Sequence, residues 1–388
     1  MRATTSSMLM PSYAPPAVTF VRGEGTRLWD DSGKAYLDFL TGLAVVSLGH
    51  ANPVIADAIA TQARKLVHVS NLFGNEHNEP LAAAIDRLLG GDGQVFLSNS
   101  GAEAVECALK LARKHGGRGR HVVVSAYGSF HGRTLAALAA TGQPDKHEPF
   151  APMPEGFRHV ALNDVGALAA ALDPTVAAVL LEAVQGEGGV NPADHGYLRA
   201  ARSLCDERGA LLIFDEVQTG FGRTGRWFGF EHAGIRPDVV TLAKALGNGF
   251  PIGACWARAD VAAAFVPGDH GSTFGGQPLA AATARAVIAE LERIDAPALA
   301  TRAGDRLRRG LEALPGVASV RGVGLLLAAE LEDGIDAKAV AMACLDAGLV
   351  INAVRPTAVR FAPPLTVSDD ETDAAVAILA TVLATVFT

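Results

Sequence analysis

Short runs of apolar, often β-branched residues alternate along the chain with longer stretches rich in alanine and leucine. The apolar runs predict strands at residues 94–97, 121–125, 176–181, 211–214, 239–242 and 252–256. Between them, apolar positions recur with a helical period, as in residues 102–114, where one face carries Val105, Ala108, Leu109 and Ala112. This alternation predicts an α/β fold with a mostly parallel central sheet covered by helices.

A second, smaller unit is predicted after residue 278. A long helical pattern covers residues 279–294, and strand patterns follow near residues 317–320, 324–330, 349–352 and 358–361. Two more short strand patterns surround Trp29 and Leu37. We therefore expect three segments: residues 1–50, which pack with the small domain; residues 51–278, the large domain; and residues 279–388, a linking helix and a small α+β domain.

Composition narrows the class of protein. The formal net charge is -8 and no Lys/Arg block occurs, so we do not expect nucleic acid as a main partner. The four cysteines are far apart and the eleven histidines show no metal-ligand spacing, so we expect no disulfide, no metal and a cytoplasmic protein. Residues 1–10 lack the apolar core of a secretory signal. The apolar run 374–388 follows a capping pattern at residues 368–371, which favours a buried helix over a membrane span.

A buried strand pattern ends in a carboxylate at Asp215. Residues 211–218 read LLIFDEVQ, and a strand of this kind places its terminal acid at the sheet edge where α/β proteins have their sites. A helix cap is one alternative interpretation. A metal-binding acid of the Walker B kind is another, but it requires a G-x-x-x-x-G-K-[ST] loop, which this sequence lacks.

Lys244 follows the apolar run 239–242 by two positions and precedes small residues. A lysine in such a place is easily desolvated, which lowers its pKa and frees the amine to attack a carbonyl. Taken alone, a lysine that reaches into solvent is the alternative. With Asp215 at a neighbouring strand end, the pair favours pyridoxal 5′-phosphate (PLP), which needs a lysine for its aldehyde and an acid for its pyridine nitrogen.

Residues 97–103, LSNSGAE, follow a strand pattern and open a helix. The helix opens at Ala102, where free backbone N–H groups and the helix dipole make an anion site that suits a phosphate. A capping box of Ser100 and Glu103 explains the same pattern structurally, and the two interpretations are compatible. The G-x-G-x-x-G match at residues 220–225 neither directly follows a strand nor opens a helix, so a dinucleotide site is not favoured there.

These segments, in this order, resemble the class III (subgroup II) aminotransferases of PLP fold-type I. The resemblance covers essentially the whole chain and is carried by residues 42–50, 99–104, 130–134, 182–189, 214–220, 273–276 and 360–365. Residues 21–25 and 68–73 are most similar to the members that use N2-acetyl-L-ornithine. The resemblance implies PLP as cofactor and a homodimer with shared active sites.

The resemblance also implies roles for cofactor-binding residues. Lys244 would hold PLP as a Schiff base and carry the proton between substrate and cofactor, while Asp215 would pair with the pyridinium. Gln218 would bind the phenolic oxygen, with Phe130 and Val217 on opposite faces of the ring. The other implied contacts are Ser100, Gly101 and Ala102 at the phosphate, His131, Glu182 and Ser272, and Thr273, which would reach the phosphate of the neighbouring subunit.

The implied substrate residues are Arg360, Glu187, Arg133 and Tyr13. Arg360 would bind the α-carboxylate of 2-oxoglutarate or glutamate, and Glu187 would pair with Arg360 while the ω-amino donor is bound. Arg133 would bind the distal carboxylate. A planar guanidinium suits bidentate carboxylate binding, and a surface ion pair is the alternative role for each arginine.

The implied reaction moves the δ-amino group of N2-acetyl-L-ornithine to 2-oxoglutarate, as in arginine biosynthesis. Tyr13-Ala-Pro15 departs from the Tyr-x-Arg frequent in such enzymes and is closer to the ornithine enzymes. Other donors therefore stay open: ornithine, succinylornithine, N-succinyl-diaminopimelate, 4-aminobutyrate or carrier-linked lysine. A racemase or mutase of the same fold is disfavoured because the Glu187–Arg360 pair indicates a switch between two substrates.

Overall fold

The computed structural model describes residues 8–386. Residues 1–7, which belong to the segment assessed for a secretory signal, lie outside the described residues. The strands are β1 (Phe20–Glu24), β2 (Arg27–Asp30), β3 (Ala35–Asp38), β4 (Gly93–Ser98), β5 (Val122–Ala126), β6 (Phe157–Val160), β7 (Val176–Leu181), β8 (Val184–Gln185), β9 (Asn191–Pro192), β10 (Leu211–Asp215), β11 (Val239–Leu242), β12 (Gly253–Arg258), β13 (Val317–Val323), β14 (Leu326–Leu331), β15 (Leu349–Val350), β16 (Asn352–Arg355) and β17 (Ala358–Phe361).

The helices are α1 (Thr41–Ala44), α2 (Pro53–Lys65), α3 (Asn78–Leu88), α4 (Gly101–Gly116), α5 (Leu135–Ala140), α6 (Val165–Ala171), α7 (His195–Arg208), α8 (Ala259–Ala262), α9 (Pro278–Arg293), α10 (Ala296–Glu312), α11 (Ala337–Asp346) and α12 (Asp369–Val386). The first of them, α1, is a left-handed turn in which all four residues have positive φ, from 51° at Thr41 to 71° at Leu43. Such a turn is strained for non-glycine residues.

A seven-stranded sheet in the order β4-β12-β11-β10-β7-β5-β6 forms the centre of the molecule. Only β12 runs antiparallel to its neighbours, β11 and β4. The predicted α/β class with a mostly parallel sheet is therefore confirmed. In the register of β10 with β11, Asp215 pairs with Thr241, so the chain after each strand emerges at the same edge.

Helix α4 packs its predicted apolar face on this sheet. Val105, Ala108, Leu109 and Ala112 are at most 3% exposed. They join a cluster with residues from β5, β7, β10, β11 and β12. The tight packing fixes the start of α4 relative to the ends of β10 and β11, where the candidate chemistry lies.

Two further sheets lie beside the central one. One has the order β13-β14-β17-β16, and the other has the order β1-β2-β3-β15. The predicted single strand at residues 349–352 is wrong, because the chain crosses from one sheet to the other: β15 pairs with β3, and β16 pairs with β17. The buried Ile351 lies between the two strands, so the apolar run continues through the crossing and hides it.

Residues 220–225 join the central sheet to the sheet β13-β14-β17-β16 instead of opening a helix. The buried Arg223 donates from Nη1 to the carbonyl oxygens of Leu325 (3.1 Å) and Pro363 (2.5 Å) and from Nη2 to Ser47 Oγ (3.2 Å). Burial lowers the pKa of Arg223 to about 9. A Cβ on Gly324 would lie 2.5 Å from the carbonyl carbon of Thr224, so this glycine serves the close approach of the two parts.

The C-terminal helix α12 begins with the predicted capping box. The Glu371 N–H donates to Ser368 Oγ (3.2 Å), and the Ser368 N–H donates to the Glu371 carboxylate (3.1 Å). Within residues 8–386, no helix is long and apolar enough to cross a membrane.

We expect Ser368→Ala to lower the free energy of unfolding by about 1 kcal/mol, because the substitution removes the acceptor at the start of α12. Urea denaturation measures the change. Thr381→Ala is the control, since the Thr381 hydroxyl donates back to Ala377 O within the same helix (3.0 Å) and does not cap its start. Equal losses in the two variants would contradict a capping role for Ser368.

Candidate active site

A cavity of about 420 Å³ lies beside the carboxyl ends of β10 and β11 and the start of α4. Twelve residues predicted from the sequence line it: Ser100, Gly101, Ala102, Phe130, His131, Arg133, Glu182, Glu187, Asp215, Val217, Gln218 and Lys244. A larger cavity of about 660 Å³ near α11 and β16 has no carboxylate in its wall. The groups needed for acid–base chemistry thus meet in the first cavity.

Lys244 is the second residue after β11, at the same sheet edge where β10 ends with Asp215. It starts a short 3-10 turn (Lys244–Leu246) with a left-handed φ of 43°, which turns the residue out of the strand direction. Burial lowers the pKa of Lys244 to about 8, with Glu187 opposing this effect and Arg360 adding to it. With this pKa, about a tenth of the amine is in the reactive, uncharged form at neutral pH, far more than for an ordinary lysine.

The lowered pKa of Lys244 predicts how fast the cofactor-free protein reacts with PLP. Below about pH 8 the amine is increasingly protonated, so we expect the rate to fall by about tenfold per pH unit and to level off above it. Stopped-flow absorbance of the cofactor's visible band, in protein freed of cofactor, measures the rate. A midpoint near the ordinary value of a lysine would contradict desolvation as the cause.

Asp215 is held by two contacts at the bottom of the cavity. Its Oδ2 lies 2.8 Å from Nδ1 of His131, and its Oδ1 accepts the N–H of Val217 at 3.1 Å. Both side chains are at most 5% exposed. Because Nδ1 faces a carboxylate, it carries a proton, and the buried Nε2 of His131 has no hydrogen-bond partner among residues 8–386. The arrangement fixes a carboxylate that points its charge into the site.

Glu182 follows β7 and positions the segment that carries Phe130. Its Oε2 accepts the N–H of Phe130 at 3.0 Å. Burial, and then the charge of Asp215, raise the pKa of Glu182 well above its usual range. Glu182 thus orients the Phe130 backbone, while burial and the nearby charge of Asp215 disfavour its ionised form.

The start of α4 has the geometry of an anion site. Ser100 Oγ accepts the N–H of Glu103 at 3.2 Å, while the Glu103 carboxylate accepts the N–H of Asn99 at 2.8 Å. A Cβ on Gly101 would lie 3.0 Å from both methyl carbons of Val217, so only glycine lets this turn approach Val217 so closely. The residues fit PLP, because a phosphate site, a desolvated amine and a buried carboxylate surround one cavity.

Arg360 lies behind the cavity wall and is 1% exposed. Its Nη1 donates to Glu187 Oε1 (2.5 Å) and to Gln218 Oε1 (3.3 Å), and its Nε donates to Asn352 Oδ1 (3.1 Å). Burial pushes the pKa of Glu187 upward, but the charge and hydrogen bond of Arg360 outweigh it and lower that pKa. The Nη2 of Arg360 is buried without a partner among residues 8–386, so one donor is ready for a further acceptor.

Four predicted residues are more exposed or lie elsewhere. Arg133 lies exposed at the cavity wall, with its guanidinium carbon 5.6 Å from the centroid of the Phe130 ring and without an ion pair among residues 8–386. Ser272 Oγ accepts from Asn99 Nδ2 (3.1 Å), and neither Ser272 nor the exposed Thr273 lines the cavity. Tyr13 is 89% exposed and does not line it. Within a single chain, the site therefore lacks contacts from Ser272, Thr273 and Tyr13.

Several residues at the site were not singled out from the sequence. Val45 and Asn99 line the cavity, and Asn352 binds Arg360. The signal for Asn352 is a polar residue in a strand pattern, directly opposite Arg360 in the register of β16 with β17. Val45 follows the left-handed turn α1, which no periodic pattern reveals.

The fold and the site define a PLP-dependent transferase of fold-type I, and comparisons with known proteins agree. The family model described as aminotransferase class-III matches residues 9–383. An acetylornithine aminotransferase of Caldanaerobacter subterraneus subsp. tengcongensis is 48% identical, with 97% of each chain covered. One of Mycobacterium tuberculosis (strain H37Rv) is 47% identical, with 99% of this chain and 96% of the relative covered.

Solved structures of related enzymes share the fold. The ornithine aminotransferase of Toxoplasma gondii ME49 has a TM-score of 0.93 and 38% identity, covering 98% of this chain and 93% of that one. The N-acetylornithine aminotransferase of Stenotrophomonas maltophilia K279a has a TM-score of 0.84 and 37% identity, covering 96% of this chain and 97% of that one. The chain belongs to the class-III aminotransferase family, whose members use PLP as cofactor.

Proposed function

We propose that the protein transfers the δ-amino group of N2-acetyl-L-ornithine to 2-oxoglutarate, giving N-acetyl-L-glutamate 5-semialdehyde and L-glutamate. The main support for the proposal is the buried Arg360, whose Nη1 donates to Oε1 of Glu187 at 2.5 Å beside the lysine site. An arginine that is neutralised by a displaceable acid accepts either a substrate with a carboxylate at that position or one without it. Curated relatives at 44–48% identity that are named acetylornithine aminotransferases support this donor.

The side chains divide the work of the two half-reactions. When bound, PLP supplies an electron sink that makes the proton beside the amino group acidic. Lys244, desolvated and with a lowered pKa, removes and returns that proton. Asp215 keeps the proton on the ring nitrogen, and His131 holds Asp215 in place.

The carboxylates of the substrates are bound by arginines in this proposal. Arg360 binds the α-carboxylate of 2-oxoglutarate through Nη1 and the free Nη2 after Glu187 has rotated away. The exposed Arg133 binds the distal carboxylate, since no acid among residues 8–386 pairs with it. With the ω-amine donor bound, Glu187 returns to Arg360 and cancels its charge.

Further parts of the proposal concern the assembly and its setting. We propose a homodimer in which Thr273 reaches the neighbouring subunit's phosphate site, which agrees with its exposure outside the cavity of its own chain. The same proposal divides the chain into residues 1–50, 51–278 and 279–388. It also assigns a cofactor contact to Ser272 and a substrate contact to Tyr13. A cytoplasmic place in arginine biosynthesis is supported by four cysteines that are all free and buried.

The test is to add candidate donors one at a time to the PLP form without keto acid and to follow the visible band of the cofactor. The proposal expects N2-acetyl-L-ornithine to bleach the band with a higher kcat/KM than ornithine, succinylornithine, N-succinyl-diaminopimelate or 4-aminobutyrate. A higher kcat/KM for another donor would contradict the proposed donor and leave the assignment as an aminotransferase intact. No band with any preparation would overturn the PLP site.

Ornithine is the second candidate donor, and two observations favour it. The chain has Tyr13-Ala-Pro15 near its start, and ornithine aminotransferase structures align over 98% of its length. Ornithine carries a free α-amine where acetylornithine carries an amide. A ratio of kcat/KM below one for acetylornithine over ornithine would establish this second candidate.

A further inference from the structure

One face of the sheet β13-β14-β17-β16 carries three arginines that contact three consecutive residues of the loop between β8 and β9. The contacts are Arg360 Nη1 to the Glu187 carboxylate (2.5 Å), Arg355 Nε to Gly188 O (2.7 Å) and Arg321 Nε to Gly189 O (2.7 Å). The first contact belongs to the substrate switch proposed above. The hydrogen bonds of Arg355 and Arg321 have no role in that switch as proposed.

Strand register explains why the three arginines face the same loop. Arg321 is directly opposite Ala328, Ala328 is opposite Arg360, and Arg360 is opposite Asn352. Residues directly opposite each other in antiparallel strands point to the same face of the sheet. Arg355 is opposite Ala358, two residues before Arg360, and so shares that face. The sheet that carries Arg360 therefore also carries the groups that hold the Glu187 loop.

The loop fits closely between two surfaces. A Cβ on Gly189, whose φ is 122°, would lie 3.1 Å from Cγ and Nε of Arg355. A Cβ on Gly188 would lie 2.3 Å from the carbonyl oxygen of Gly128 on the other side. Gly188 O also accepts from Asn191 Nδ2 at 2.9 Å. The backbone after Glu187 is thus fixed from both sides.

The two holding arginines differ in how they are supported. Arg321 is oriented by an ion pair of 2.5 Å with Glu330, whose other carboxylate oxygen accepts from Thr357. Arg355 is exposed and has no ion pair among residues 8–386. Its hydrogen bond to Gly188 O is therefore the contact that a substitution removes with the least disturbance to the rest of the sheet.

We propose that Arg355 and Arg321 are positioning residues that clamp the Glu187 loop to the sheet of Arg360 and so set the balance between the two half-reactions. The inference rests on the proposed switch. With the backbone clamped, Glu187 leaves Arg360 by side-chain rotation alone and returns to it as soon as the carboxylate substrate departs. Without the clamp, the acid moves away with its loop, and Arg360 stays unpaired and open to a carboxylate for longer.

Arg355→Gln is the main test, with each half-reaction followed separately by the visible band of the cofactor. We expect kcat/KM for N2-acetyl-L-ornithine to fall roughly tenfold, the size of one lost hydrogen bond from a charged donor. The value for 2-oxoglutarate stays unchanged or rises. Arg355→Lys keeps a cationic donor, so its kcat/KM for N2-acetyl-L-ornithine should recover most of the parent value. Calorimetric binding of glutarate, which lacks the keto group, becomes tighter in Arg355→Gln because Glu187 competes less for Arg360.

A double-mutant cycle separates the clamp from a general effect on the sheet. In the Glu187→Gln background, Arg355→Gln causes no further change in the ratio of the two half-reactions. Arg113→Gln is the matched control, because Arg113 also donates to backbone carbonyl oxygens, those of His121 (3.1 Å) and Glu155 (2.9 Å), but at the amino-terminal end of β5 and not at the loop. We expect this control to leave the ratio unchanged.

Two results would contradict the clamp alone, and a third would contradict both the clamp and the proposed switch. An equal fall of both half-reactions in Arg355→Gln, or effects of Arg355→Gln and Glu187→Gln that simply multiply, would reduce Arg355 to a structural role. A ratio that is unchanged in Glu187→Gln alone would instead overturn the proposed switch, and the clamp with it. The single and double variants therefore distinguish the two failures.

Discussion

Lys244→Ala is expected to lower the rate of transamination by at least about 10⁴-fold, because in the proposed mechanism it removes both the amine that holds the cofactor and the base that moves the proton. Lys244 is the one lysine among the described residues that line the cavity. Its burial and its pKa of about 8 supply the reactive amine. Half-reactions with the preferred donor, followed by absorbance, measure the loss.

The control for this variant is chemical. Since the missing group is a primary amine, added methylamine should restore part of the proton-transfer rate in Lys244→Ala. The substitution removes a desolvated cation, so the thermal midpoint should not fall. Lys338→Ala, on the exposed side of α11, should keep full activity. A rate for Lys244→Ala within tenfold of the parent would refute the assignment of the base.

Asp215→Asn is expected to lower kcat by about 10²- to 10³-fold, the range typical for the loss of one fixed electrostatic contact in a buried site. The amide has the same shape but no charge, so in the proposed mechanism the proton on the ring nitrogen of the cofactor loses its stabilising partner. His131 loses the carboxylate that lies 2.8 Å from its Nδ1. Steady-state kinetics with saturating PLP measure the effect and separate it from weaker cofactor binding.

Asp238→Asn is the matched control for Asp215→Asn. Asp238 is also a buried carboxylate of the central sheet, but it pairs with Arg202 (2.8 Å) and Arg258 (3.0 Å), away from the cavity. Losing it should reduce stability, by leaving two arginines without their shared partner, and should spare kcat. The proposed role of Asp215 would be refuted if the two variants lost kcat equally.

The central sheet was predictable because its strands are continuous apolar runs between turn residues. The strands Val176–Leu181 and Val239–Leu242 have the predicted bounds, since parallel strands are buried on both faces. The apolar pattern failed at residues 349–352, where one run serves two sheets. Burial alone selects apolar residues, so such a run does not tell which neighbour each strand pairs with.

The site was predictable only in part. The sequence placed Asp215, Lys244 and the start of α4 at strand and helix ends, and these ends meet in the structure. The roles of Glu187 and Arg360 came from resemblance, because their contact joins residues 173 positions apart. No local pattern could pair Gly188 with Arg355, which are 167 positions apart. Such contacts depend on the docking of whole sheets and not on local propensity.

Arg223 has a consequence for how the molecule melts. Its guanidinium is buried between the central sheet and the sheet β13-β14-β17-β16 and is satisfied by carbonyl oxygens of Leu325 and Pro363. If either sheet separated first, a buried cation would lose those acceptors at a cost of several kcal/mol. Partial opening is therefore penalised at the junction itself, which makes the two sheets lose their structure in one cooperative step instead of two.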